Sequence, residues 1–320
     1  MKKVIPTSNL PQTLKENKKY KVYGSALLFS IIVGFSFLGI KTCVTVVTPL
    51  ETLTHRYNAA FIAALIPVLL GKQRINWKGK SLKLIVISII LYVGFMTLQT
   101  VGLAFSTSIE SGIIFAMVPI FAKFFAKALM NETTSWKQNI FMCISVGAVI
   151  VMFILSATDI TVNFTGLAIL LLSSVAMASS NVMLRYVRNQ FRPYEIAFFI
   201  CLGGFLIFNG TTIITGLKNG TLGLYFKPLI HWEFVLSIIF LGVLSLLVTL
   251  QLMSYMMANM EAVKATLFGN LSTAISIVAG VIILQEPLRI YHIVCTALII
   301  AGVIGINLPS MGIKAVEEGE

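Results

Sequence analysis

The stretch KTCVTVVTPLE at residues 41–51 returns in altered form as RYVRNQFRPYE at residues 185–195. Lys41, Pro49 and Glu51 reappear as Arg185, Pro193 and Glu195 at identical spacing, 144 residues further on. A second match follows downstream: Asn131 to Val151 aligns with Gln285 to Gly305 at an offset of 154, placing Glu132 on Glu286, Val149 on Val303 and Ile150 on Ile304. The chain is therefore duplicated. The change of offset puts ten extra residues in the middle of the second half, most simply in the polar stretch from Lys218 to Glu233.

The duplicated material is apolar. With 57% hydrophobic residues, 11% charged residues and a mean hydropathy of +0.92, the composition departs from that of soluble domains, in which about a quarter of residues are charged. A formal charge of +12 would suggest nucleic acid in a soluble protein. Here the basic residues gather in short segments between apolar runs, so they report membrane topology and no nucleic-acid partner is expected. Cys43, Cys143, Cys201 and Cys295 lie in apolar stretches without disulfide or metal spacing, and are read as buried thiols.

Crossing about 30 Å of hydrocarbon takes roughly 20 apolar residues in a helix. On that measure ten spans are expected: Val22 to Lys41, Thr52 to Leu70, Leu82 to Phe105, Ile109 to Met130, Asn139 to Ser156, Thr165 to Tyr186, Tyr194 to Thr215, Phe234 to Tyr255, Val263 to Leu284 and Tyr291 to Leu308. The fold class is an all-α integral membrane protein of two five-helix repeats, at residues 22–156 and 165–308, between an arm (1–21) and a tail (309–320). Gly94, Pro119 and Gly242 should interrupt helices without ending them. The first span is too long for a cleaved signal peptide and is read as retained.

Loop charges set the orientation. The amino-terminal arm, every second loop after it and the tail carry 17 Lys and Arg, while the alternate loops carry Lys218, Lys227 and Arg289. Both termini should thus be cytoplasmic, in a multi-pass protein of the plasma membrane. Five spans per half then invert the second repeat relative to the first. Internal repeats with a substrate site between them mark secondary transporters.

Polar side chains inside spans ask for a partner, water or a substrate. Ser36, Gln99, Asn181, Gln251 and Asn270 are candidate ligands for a neutral or zwitterionic solute, with Phe35, Met117 and Tyr255 as apolar walls. Eight charges are candidate gates: Lys41, Glu51, Arg56 and Glu110 near the external ends of their helices, and Arg185, Glu195, Glu261 and Lys264 near the cytoplasmic ends. Each of these residues also has a plainer reading as interhelical hydrogen bonding, packing or interfacial snorkelling. Ala297, Ala301 and Gly305 form a small-residue stripe, a packing face within one copy or between two, so monomer and homodimer both stay open. His55, His231 and His292 lack metal spacing, and no nucleotide-binding loop or nucleophile motif occurs, so no cofactor or catalytic residue is expected. An integral-membrane enzyme acting on lipid-linked substrates is the alternative, but its acids would have to converge from opposite membrane faces.

The stretch GFSFLGIK at residues 34–41 resembles the first-helix signature of the drug/metabolite transporter superfamily, in its EamA-type families. Pro49, Arg56, Pro119, the helix-closing Glu132 and Glu286, and the glycine-containing fifth and tenth spans match as well. The resemblance implies a ten-helix carrier working by alternating access, with a cavity lined by the first, third, fourth, sixth, eighth and ninth spans. It further implies small polar metabolites as substrates, amino acids or related compounds foremost, in the direction of export, with membrane lipids around it. Thr273 stands where the repeat would place a second Pro119, so the fourth and ninth spans should bend differently.

Overall fold

The computed structural model describes residues 12–130, 136–157, 163–188, 190–259 and 262–307. Its helices are α1 (Gln12–Val46), α2 (Pro49–Leu69), α3 (Leu82–Ala104), α4 (Ser108–Phe115), α5 (Val118–Met130), α6 (Trp136–Ala157), α7 (Phe164–Val187), α8 (Pro193–Asn219), α9 (Trp232–Ile239), α10 (Thr249–Asn259), α11 (Ala262–Ile283) and α12 (Ile290–Asn307). A π-helical stretch, Phe240–Val248, joins α9 to α10 without a break. Among the described residues no strand occurs, and six runs are long and apolar enough to cross a membrane: Tyr20–Val46, Leu82–Ala104, Ser108–Phe125, Phe164–Leu184, Pro193–Asn219 and Trp232–Met253. Of the other four expected spans, α2 carries Glu51, His55 and Arg56, while α6, α11 and α12 hold shorter apolar stretches.

Helix starts follow local chemistry. Pro49 and Pro193 take early positions in α2 and α8, where a missing N–H costs nothing. Glu51 and Glu110 complete capping boxes with Thr48 and Thr107. Asn163 caps α7 by accepting the Thr165 amide at 3.0 Å. At the other end of α8, Gly220 adopts φ 66°, the left-handed turn that terminates helices at low steric cost.

The packing of the helices is nearly unchanged when the two halves are exchanged. α1 packs on α11 as α7 packs on α4 and α5; α3 packs on α7 as α1 packs on the α9–α10 run; α2 meets the π-helical stretch as α8 meets α3. Close approaches are made where side chains are small. A Cβ on Gly34 would meet Ile275 Cγ2 at 2.6 Å, and one on Gly102 would meet Leu170 at 2.8 Å. Ser173 donates to Phe95 O at 3.0 Å, and Tyr194 to Ala64 O at 2.6 Å, tying helices through hydroxyls.

Pro119 was expected to interrupt the fourth span without ending it, but α4 stops at Phe115 and a new helix, α5, starts at Val118; α3 runs through Gly94 unbroken, and Gly242 lies inside the π-helical stretch. The fourth span's counterpart, α11, runs unbroken past Thr273, whose hydroxyl donates to Gly112 O at 3.0 Å. The ten extra residues are not where the sequence suggested. The connections 70–81 and 220–231 are equally long. Six of the additional residues lengthen α8, which has 27 residues against 21 in α2. The remainder fall after Trp232, in the run whose π-helical stretch absorbs added residues without turning the flanking faces away.

Candidate functional site

A cavity of about 90 Å³, room for several waters, lies inside the bundle. Helical periodicity supplies its walls. α1 contributes Phe29, Val33, Ser36 and Phe37; α3 contributes Tyr92, Phe95, Met96 and Gln99; α7 contributes Met177, Asn181, Leu184 and Arg188. Apart from the adjacent pairs Ser36–Phe37 and Phe95–Met96, each set steps by three or four residues, the spacing of one helix face. Arg56 of α2, Phe115 at the α4–α5 break, Ser245 of the π-helical stretch and Thr249, Leu250 and Met253 of α10 complete the lining.

Eight of the eighteen lining residues are aromatic or methionine and three more are aliphatic, so the seven polar and charged ones lie in a mainly apolar wall. Gln99 is 4% exposed, yet neither its amide nor that of Asn181 has a side-chain hydrogen bond among the described residues. Ser36 donates to Val33 O at 2.7 Å and Thr249 to Ser245 O at 2.7 Å, leaving oxygens able to accept. Arg56, 1% exposed, reaches the π-helical stretch: Nε donates to Leu241 O at 3.2 Å and Nη2 to Ser245 Oγ at 3.1 Å. Nη1 has no partner. The two backbones touch here, since a Cβ on Gly242 would lie 2.6 Å from Arg56 O.

At Arg188 the cavity adjoins a wider opening of about 880 Å³, bounded by Lys21, Ser25, Arg188, Phe191, Arg192, Pro193, Val248, Gln251, Leu252 and Tyr255. A different cluster lies around Lys41. Lys41 Nζ donates to Leu103 O at 3.1 Å and Ser106 O at 2.6 Å, a cation on the carboxyl end of α3. Glu286 accepts from Ser108 N at 2.8 Å, Ser108 Oγ at 2.7 Å and Ile109 N at 3.1 Å, an anion on the amino end of α4. These bonds tie α1, α3 and α4 to the end of α11.

Among the sequence candidates, Ser36, Gln99, Asn181 and Arg56 line the inner cavity, while Gln251 and Tyr255 line the opening. Phe35 is 38% exposed and Met117 lies in the apolar core, so neither borders the cavity. Glu51 and Glu110 bond to their own N-caps. Glu195 does so too and also reaches Lys80 across the molecule. Arg185, Glu261, Lys264 and Asn270 lie outside the residues whose side chains are described. Sequence reasoning missed Arg188, Tyr92, Ser245 and Thr249. Arg188 was counted as a loop charge, although its spacing of seven from Asn181 puts both on one face of α7.

Three comparisons bear on these features. The model of the EamA-like transporter family matches the chain twice, at residues 21–154 and 164–308. A protein of Bacillus subtilis (strain 168), named as the uncharacterized transporter YcxC, is 35% identical over 295 residues, covering 92% of this chain and 95% of that one. An uncharacterized transporter of Archaeoglobus fulgidus is 23% identical over 273 residues, covering 84% of this chain and 92% of its own. A solved crystal structure shares the fold at a TM-score of 0.61 and 16% identity, over 89% of this chain and 97% of the other. Two family matches on an all-helical, lipid-soluble chain make this a multi-pass membrane protein that belongs to the EamA-like transporter family.

Proposed function

We propose that the chain is a secondary transporter exporting small polar metabolites, amino acids or related compounds foremost, across the plasma membrane by alternating access. In this reading ten spans form two inverted repeats with both termini cytoplasmic. The observation that carries it is the inner cavity, where Gln99 and Asn181, one from each half, face a mainly apolar wall without a side-chain hydrogen bond among the described residues. A membrane interior does not leave amides unpaired for stability alone, because each unmade bond costs free energy. The exchange-symmetric packing supports two related conformations of similar energy.

The 17-to-3 split of Lys and Arg assigns the Arg188 opening to the cytoplasmic side, so the present conformation is open inward and closed at Lys41. In the outward-open state the Lys41 and Glu286 bonds would release, and the two ends of the cavity would exchange roles. The test replaces the four native cysteines and places one at Ser36. With substrate cycling, an impermeant thiol reagent should label it from either side of the membrane, and Lys41→Ala should raise labelling from outside. Labelling from one side only, with and without an amino-acid mixture, would remove alternating access. Asn181→Leu in proteoliposomes should abolish counterflow while the protein still inserts.

A further inference from the structure

We propose that the transported solute is an organic anion, a small carboxylate with an apolar body, and that Arg56 holds its carboxylate group. The proposal rests on the transporter reading above and puts organic anions in place of amino acids as its foremost substrates. Of the five N–H donors of a guanidinium, the Arg56 side chain places one on Leu241 O and one on Ser245 Oγ, and both donors of Nη1 are free. Among the described residues the titratable groups that act on its charge are Tyr92, Tyr57, Cys43 and Cys201, none of them a carboxylate. A positive charge buried in a bilayer span without a counter-ion is costly, and anchoring alone would not leave Nη1 unpaired. A planar carboxylate bound at Arg56 would take the end-on protons of Nη1 and Nη2, which requires the side chain to turn, because Nη1 is fully buried in this conformation.

The approach has the same sign. Arg188 stands where the cavity meets the opening, and Lys21 and Arg192 stand in the opening, while among the described residues no acidic side chain lines either space. Cytoplasmic loop charge accounts for those three. It does not account for Arg56, which lies on a different helix against the π-helical stretch. A substrate ammonium group would find no carboxylate to meet it, so the charge pattern disfavours amines and weakens zwitterions relative to anions. Gln99 and Asn181 remain for a hydroxyl or oxo group, and the Phe and Met walls for the carbon skeleton.

The test uses the full-length protein with four solutes of one skeleton: phenylacetate, L-phenylalanine, phenethylamine and phenylacetamide. A second set, isovalerate, L-leucine and isoamylamine, checks that the aromatic ring is not required. In thermal-shift titrations and in proteoliposome counterflow the carboxylates should bind and exchange best. Arg56→Gln should weaken them by about 10- to 100-fold, the loss of a charged hydrogen bond. Arg188→Gln should weaken them less and leave phenylacetamide unchanged, and it keeps the test available if Arg56→Gln does not fold. Equal or better binding of the amino acids or amines overturns the anion site while leaving a carrier in place, as does carboxylate binding indifferent to both variants. If vesicles exchange other solutes from an amino-acid mixture but neither carboxylate, the anion site again falls. If no solute of any charge moves, the transporter reading falls with it.

Discussion

Glu51 and Glu195 hold the same place in two helix starts. Each lies two residues after a proline, and each carboxylate accepts the amide of its own N-cap residue at 2.9 Å. Beyond that first bond they differ. Glu51 is half-buried and otherwise bonds only the Thr48 hydroxyl, at 2.7 Å. Glu195 is 2% exposed, accepts the Asn76 amide at 3.1 Å and pairs with Lys80 at 2.6 Å, stapling the 70–81 connection to α8. In the other half the equivalent connection also reaches back, but through Tyr225: its carbonyl meets His55 Nε2 at 3.1 Å and its hydroxyl accepts from Asn58 at 2.6 Å. The duplicated motif therefore sets helix starts in both halves, while the tertiary surroundings decide which start also becomes a cross-link.

The same asymmetry continues along the two helices. Tyr57 and Ala60 of α2 have Cys201 and Gly204 as their counterparts in α8, 144 residues on. The Tyr57 ring lies against Gly204, where an added Cβ would overlap it. Tyr57 fits in α2 because the position of α8 that it packs on is glycine.

Substitutions at Glu195, at the Gly204–Tyr57 contact and at Glu51 would break or sharpen this comparison. The largest effect is expected from Glu195→Ala, which removes one partner of a largely buried pair and should cost about 3 kcal/mol, read as a lower Tm in detergent and faster proteolysis of the 70–81 connection. A loss no greater than that of Glu51→Ala would mean that the staple adds nothing to the cap. Gly204→Ala should cost about 2 kcal/mol by overpacking against Tyr57, and Tyr57→Cys in the same chain should recover part of it. Simple addition of the two losses would refute the size complementarity. Glu51→Ala should cost about 1 kcal/mol, the value of a helix cap, and Glu51→Gln should retain most of it because the amide oxygen still accepts the Thr48 amide.

Much of the cavity was legible because a helix face repeats every three or four residues: Ser36, Gln99 and Asn181 stand out as polar breaks in apolar spans. Their rotational placement was not. Phe35 and Phe37 are two residues apart on α1, yet the first is exposed and the second lies in the core. Hydrophobicity cannot separate them, since lipid is as apolar as the interior of the bundle. The charges were harder still. Arg56 was grouped with the charges of one membrane face, and only the π-helical stretch packed against α2 shows that its guanidinium borders the cavity.

By itself the sequence determined what depends on composition, repetition and local backbone chemistry: a membrane solvent, the repeated Pro-x-Glu motif and an interruption near Pro119. Tertiary structure decided where the ten extra residues went, which capped helix start became a staple, and which cation was left with unpaired donors. The first set follows from covalent geometry and the water-to-lipid transfer of each segment, which neighbours in sequence fix among themselves. The second depends on which faces meet across helices far apart in the chain, and those contacts carry no signature in any one segment.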